Sequence, residues 1–276
     1  MTLKRLSPSS INLYKQCPRK FFYQYIMRLP TKGSIHLVRG SAVHDALEKF
    51  FEIKPSAFSE GYFEFEMKTI LLDLFRQAWE GSEKELAKLD MRKEDLLFYF
   101  GESKRMLENW VDNFVETLKW HIKKRGSLAA AFSYMAPVTE KHYYSESDHV
   151  HGFIDAIHNF EDGVHILDYK TSKKDTMSGA YKLQLAIYAL LYEKEHGVAP
   201  KRVGINFLKF GEKYLEVDQL LIDDARKQVA EVFAKTRADN ISAYPKNVTP
   251  LCKWSTGQCD FYETCSESRS LHDFGK

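Results

Sequence analysis

The chain is poor in the features that mark several specialised protein classes. Only four cysteines occur in 276 residues: in a secreted protein they could form two disulfides, but without a signal peptide a reduced set reads better as metal or cluster ligands. No run of about 18 apolar residues occurs, so no membrane-spanning helix is predicted. The opening MTLKRLSPSS lacks the apolar core of a secretory signal, and the expected location is the cytoplasm. No Gly-Lys-Ser or Gly-Lys-Thr follows a glycine-rich turn, so any helicase or ATPase activity must come from a partner. Internal repeats, low-complexity tracts and a nucleophilic serine or cysteine arrangement are also missing. A formal net charge of only +2 means that any basic surface is local.

What is present divides by periodicity. Near the N-terminus, SPSS predicts a helix start, and Pro18 interrupts that helix near Cys17 because proline cannot donate the helical hydrogen bond. A second, aromatic helix is predicted from about Arg19 to Ile26. RGSAVHDALEKFFEI reads as a helix begun by Gly40 and Ser41, with Val43, Ala46, Leu47 and Phe50 as its apolar stripe. From about Tyr62 to Lys124 the pattern stays helical, with breaks at Gly81 and around Asp90. The period then becomes two. KHYYSES, HGFIDAIHNF, GVHILDYKT, RVGINFLKF and KYLEVDQ read as strands. A helix ending at Gly197 separates the third from the fourth, and another spans roughly Asp223 to Thr236. Helices on a mixed sheet with one helical crossover make an α/β core.

Charges interrupt two of the apolar strands, in GFIDAI and HILDYK. Side chains alternate along a strand, so Asp168 shares a face with Lys170, and Asp155 with Phe153 and Ile157. A two-residue turn at Asp162-Gly163 predicts Glu161 opposite Val164. Counting back places Ile157 opposite Asp168 and Asp155 opposite Lys170. Two carboxylates and an ammonium then share one sheet face. One reading is a cross-strand ion pair of Asp155 with Lys170, with Asp168 as a neighbour. The other is a site for Mg²⁺ or Mn²⁺, which lets adjacent carboxylates stay ionised. Charges in otherwise buried strands are expensive without a task, which favours the second.

With GFIDAI, LDYKTS, QLAIY and RGSAVHDALE in this order, the chain resembles the RecB-like branch of the PD-(D/E)XK nucleases. The resemblance implies a restriction-endonuclease-like mixed sheet flanked by helices. It implies that His44, Asp155 and Asp168 bind the divalent ion, helped by the Tyr169 carbonyl. Lys170 assists the attacking water, and Gln184 and Tyr188 face the site. The implied activity is hydrolysis of DNA, as a single-strand exonuclease of repair, recombination or CRISPR adaptation, acting on single strands or single-stranded ends with a helicase or integrase partner. A competing reading is a non-catalytic DNA-end-binding or scaffolding subunit.

Cys17 lies in QCPRKFFYQY, and Cys252, Cys259 and Cys265 lie near the other end. By softness, such thiolates suit zinc or an iron–sulfur cluster. The pattern resembles RecB-like nucleases of the AddB and CRISPR-associated types, whose one N-terminal and three C-terminal cysteines hold a 4Fe–4S cluster. Six residues separate Cys252 from Cys259, a departure from the two usual there. The implied role is a staple joining the chain ends. The expected organisation is 1–61 (first cysteine and histidine motif), 62–125 (helical insertion), 126–244 (nuclease core) and 245–276 (cysteine segment), with the insertion lying outside a single nuclease domain. CPRKFFYQYIMR alternates basic and aromatic residues; it reads either as a base-stacking platform or as a helix with an aromatic core face.

Overall fold

In the computed structural model, residues 4–255 and 257–266 are described; the last ten residues of the predicted cysteine segment lie outside them. Among the described residues no helix is long and apolar enough to cross a membrane. The chain divides into two compact units: residues 1–32, 145–151 and 226–276, and residues 33–144 and 152–225.

The larger unit is built on a five-stranded sheet, β1 (Val138–Ser145), β2 (Val150–Phe160), β3 (Gly163–Lys170), β4 (Arg202–Phe207) and β5 (Gly211–Glu216), in that spatial order. β2 and β3 are antiparallel, β3 and β4 parallel, β4 and β5 antiparallel. A parallel pair needs a crossover, and the helix over Gly179–His196 supplies it, ending on Gly197 at φ 70°. The sheet is mixed and flanked by helices, as the sequence predicts.

Helices over Ile35–Phe51, Phe63–Gly81, Lys93–Arg125 and Leu128–Met135 share one core with the sheet. Phe50, Met67, Phe75, Leu107 and Phe132 meet Ala156, Leu167 and Tyr169 there. Glycine at 81 and the break around Asp90 do separate helices.

Four local expectations need correction. The helix carrying His44 starts at Ile35, not at Gly40, because the Ser34 hydroxyl caps Leu37 N–H at 3.3 Å. Leu128–Met135 forms a short helix that no motif signalled. The helix expected from Asp223 begins at Gln219. The hairpin turn is Glu161-Asp162 rather than Asp162-Gly163: Gly163 pairs with Phe160, and Ile157 pairs with Ile166. Glycine still serves the bend, at φ +130°, where an added Cβ would meet Lys201 Cβ at 2.8 Å. The register is displaced by two residues, a whole period, so every side chain keeps its predicted face.

The smaller unit gathers both chain ends. α1 (Pro8–Gln16) stops before Pro18, and α2 (Pro18–Phe21) runs into a π turn over Phe22–Ile26. Phe21, Phe22 and Tyr23 are buried. The first two pack on Tyr244 and Tyr23 packs on Phe261. These rings are core, so the base-stacking reading of CPRKFFYQYIMR falls.

Candidate active site

Strand parity sets the site's foundation. Asp155 from β2 and Asp168 from β3 are buried, and each is held by different partners. Asp155 Oδ2 accepts from Tyr169 N–H at 2.8 Å and lies 3.3 Å from His44 Nδ1. Asp168 Oδ1 accepts from Gln184 Nε2 at 2.8 Å and from the Tyr188 hydroxyl at 3.5 Å. Gln184 also donates to Tyr188, at 2.8 Å. Four residues apart on one helix, the two present adjacent groups to the same carboxylate.

Lys170 does not pair with Asp155. Its Nζ lies 2.5 Å from Asp168 Oδ2, a close ion pair without hydrogen-bond angles, and that buried oxygen has no other partner. The cross-strand Asp155–Lys170 ion pair is therefore replaced by a same-strand pair two residues apart.

His44 reaches the end of β3. Its Nε2 lies 2.9 Å from Tyr169 O; a carbonyl only accepts, so Nε2 carries the proton. Nδ1 then faces two carboxylates, Asp155 and, at 3.9 Å, Glu140. Three acceptors facing one another call for a cation or a proton between them. The donor atoms of His44, Glu140 and Asp155 lie within 4.8 Å of one another. One imidazole nitrogen and two carboxylate oxygens form a donor set that suits Mg²⁺ or Mn²⁺; the Tyr169 carbonyl lies on the other side of the ring.

Glu140 is the residue the sequence reading missed. It belongs to β1, outside every quoted motif, and has φ 45°, left-handed backbone uncommon for a side chain of its size. Only the tertiary fold carries it to His44. These groups border a cleft of about 610 Å³ that also reaches His36, Glu48 and Lys170.

The electrostatics reflect crowding. Burial, then the charge of Asp168, pushes the Asp155 carboxyl up to about 7. Desolvation works against protonated His44, but Glu140, Asp155 and Asp168 outweigh it and raise its pKa. Burial also opposes charge on Lys170, yet Asp168 more than offsets it and the ammonium is stabilised.

Beneath the site, Arg39 is 2% exposed. It pairs with Glu102 and donates to Thr171 O at 2.7 Å. Lys209 reaches the same Glu102 at 2.6 Å. This network ties the helix of His44 to the segment directly after Lys170.

The family model for the PD-(D/E)XK nuclease superfamily matches residues 5–266. The chain belongs to that superfamily. A crystal structure of a "Putative exonuclease" from Eubacterium rectale superposes with a TM-score of 0.54 at 13% identity, covering 97% of this chain and 89% of that one. At that identity the likeness concerns the fold. No curated protein matches the chain.

The smaller unit of this superfamily member brings Cys17, Cys252, Cys259 and Cys265 to the wall of one cavity of about 220 Å³. All four are free thiols. Burial raises the Cys265 pKa, opposed by Lys246 and Arg19, and Cys17 and Cys252 add to the rise. Among the described residues, no three of these sulfurs lie within 4.8 Å of one another.

Proposed function

We propose that the chain is a Mg²⁺- or Mn²⁺-dependent deoxyribonuclease that hydrolyses phosphodiesters, acting as an exonuclease on single strands or single-stranded ends. The observation that carries this reading is the convergence of His44, Glu140, Asp155 and Lys170 at one cleft, with buried Asp168 paired to Lys170 behind it. His44, through Nδ1, would hold the ion with Asp155, Glu140 and Asp168; the Tyr169 carbonyl, engaged by His44 Nε2 on the other side of the ring, would not join them. When bound, the ion polarises the scissile phosphate and makes water a better nucleophile.

The protein's own groups do the rest. Lys170 orients the attacking water and neutralises charge gathering on the phosphate oxygens. Asp168 positions that ammonium, while Gln184 and Tyr188 fix the Asp168 carboxylate. Tyr169 N–H fixes Asp155, and the Tyr169 carbonyl sets the tautomer of His44 so that Nδ1 presents its lone pair. The substrate is DNA, and a helicase or integrase partner would supply unwound ends in repair, recombination or CRISPR adaptation.

We assign a 4Fe–4S cluster to the four-cysteine cavity. Four thiols at the wall of one cavity support that reading. Its role would be to staple the two chain ends.

The test is cleavage of 5′- and 3′-labelled single-stranded DNA with and without Mn²⁺, alongside a circular control. Wild-type protein should digest the linear strands, and Asp168→Ala or Lys170→Ala should abolish digestion with the fold intact. Digestion by either purified variant would sink the assignment, and inert wild-type protein that still binds DNA ends would point to a scaffolding subunit.

A further inference from the structure

Within the larger unit, the sheet face bearing Leu167 and Tyr169 is the reverse of the one bearing Asp168. Between that reverse face and the Lys93–Arg125 helix lies a cavity of about 390 Å³, a size typical of small-molecule sites. Nothing in the proposed nuclease chemistry uses it. Tyr169 belongs to both places: its ring is in the cavity wall, and its backbone touches Asp155 and His44.

The wall has a consistent polarity. Trp110 and Phe114 form a stacked pair, centroids 5.3 Å apart, and Tyr169 meets Trp110 edge-on at 6.4 Å. Glu212 is the one carboxylate in the wall, which contains neither lysine nor arginine. Its two oxygens are held by Asn206 Nδ2 at 3.0 Å and the Tyr214 hydroxyl at 2.9 Å, so the negative charge is preorganised. The cations around it are outside the wall and paired: Lys124 and Arg125 with Glu161, Arg202, over the Tyr214 ring, with Asp162 and Glu216, and Lys213, over the Phe207 ring, with Asp175.

Two histidines add no positive charge, and His158 adds an acceptor. His158 lines the cavity, and its Nδ1 donates to Met135 O at 3.1 Å. The lone pair is therefore on Nε2, which is buried and has no partner. Burial holds the His158 pKa down at about 4, so the ring is neutral. His121 Nδ1 is also buried without a partner, and desolvation, then Arg125 and Lys124, lowers its pKa.

Aromatic faces are negative at their centres, and a cation over them is attracted most strongly where water is excluded. We propose that this cavity binds a small organic cation, an ammonium or guanidinium compound, by cation–π contact with Trp110 and Phe114 and by pairing with Glu212. The same wall disfavours phosphates, which separates this ligand class from the nucleic acid of the cleft.

Isothermal titration of the full chain with choline and with agmatine tests it, using 3,3-dimethyl-1-butanol as the uncharged isostere of choline and AMP as an anionic control. At least one cation should saturate a single site, and the isostere and AMP should bind at least about tenfold more weakly. Glu212→Gln, at an exposed position, should weaken the cation at least about tenfold, and Thr117→Phe, on the exposed rim, should block it by filling space. Melting temperatures of both variants check that the fold is kept. The proposal is overturned if neither cation saturates, if the isostere or AMP binds as tightly, or if either folded variant keeps wild-type affinity.

Discussion

At the scale of single residues, the site is a set of buried charges that are compatible only when each has its partner. Asp155 is the most exposed to this logic. Its carboxyl is raised from 3.8 to about 7 by burial and by Asp168. A raised carboxyl contributes stability that is full below pH 3.8 and is lost as pH rises through about 7. Metal-free protein should therefore melt lower at pH 8 than at pH 5.5 on account of this group. Asp155→Asn keeps an acceptor for Tyr169 N–H and should raise the metal-free melting temperature at pH 8, by on the order of a few kcal/mol of stability. The gain should shrink as pH falls and vanish only near pH 3.8. Metal binding needs the opposite protonation state, so Mn²⁺ affinity, followed by electron paramagnetic resonance, should fall as pH drops below about 7. An affinity flat from pH 5.5 to 8 would exclude Asp155 as a ligand.

Asp168 is held differently, by Lys170 and the Gln184–Tyr188 pair. Gln184→Ala removes the closer of two donors to a buried oxygen and should cost about 1–3 kcal/mol. Urea unfolding reads this directly. Tyr188→Phe removes the longer bond, 3.5 Å, and should cost less.

At the scale of elements, the Ile35–Phe51 helix, the Lys93–Arg125 helix and the ends of β3 and β4 are locked by Arg39, Glu102 and Lys209. Removing one member of a buried pair strands the other, whereas removing both as apolar residues is tolerated. Glu102→Ala should destabilise by roughly 3 kcal/mol. Arg39→Met combined with Glu102→Leu should recover much of that loss. Equal stability of the single and double variants in urea would show that the pair is not the lock. The network was illegible in the sequence because its members are 63 and 107 residues apart, and charged residues at such separations carry no pairing signal. The long helices were legible, since a 3.6-residue apolar period needs no tertiary partner to be seen. The Leu128–Met135 helix was not: at eight residues it is too short for a period to stand out.

At the scale of the whole molecule, the chain keeps its four cysteines for one cavity at which its two ends meet. If they hold an iron–sulfur cluster, protein purified without oxygen should be brown, with broad absorption near about 400 nm, and iron should be found at four atoms per chain, as a 4Fe–4S cluster requires. Cys17→Ser should bleach the protein and lower its melting temperature, because the thiolate from the N-terminal end is lost from the staple. A colourless preparation with stoichiometric zinc would replace the cluster with a single ion.

The sequence by itself determined which side chains share a face. Period-two alternation put Asp168 with Lys170 and Asp155 with Ile157, and a register displaced by two residues left that intact, because two is the period of a strand. It also placed Gln184 and Tyr188 one helical turn apart, and both do meet Asp168. The tertiary structure alone decided the partners. It set Lys170 on Asp168 instead of Asp155, and it carried Glu140 from a strand with no motif to the imidazole of His44. It also closed an aromatic cavity around Glu212. The physical reason is range: a strand or helix repeats over a few residues, so its pattern is written locally. Which carboxylate a cation or an imidazole meets depends on how separate elements pack, and that is settled only when the core closes.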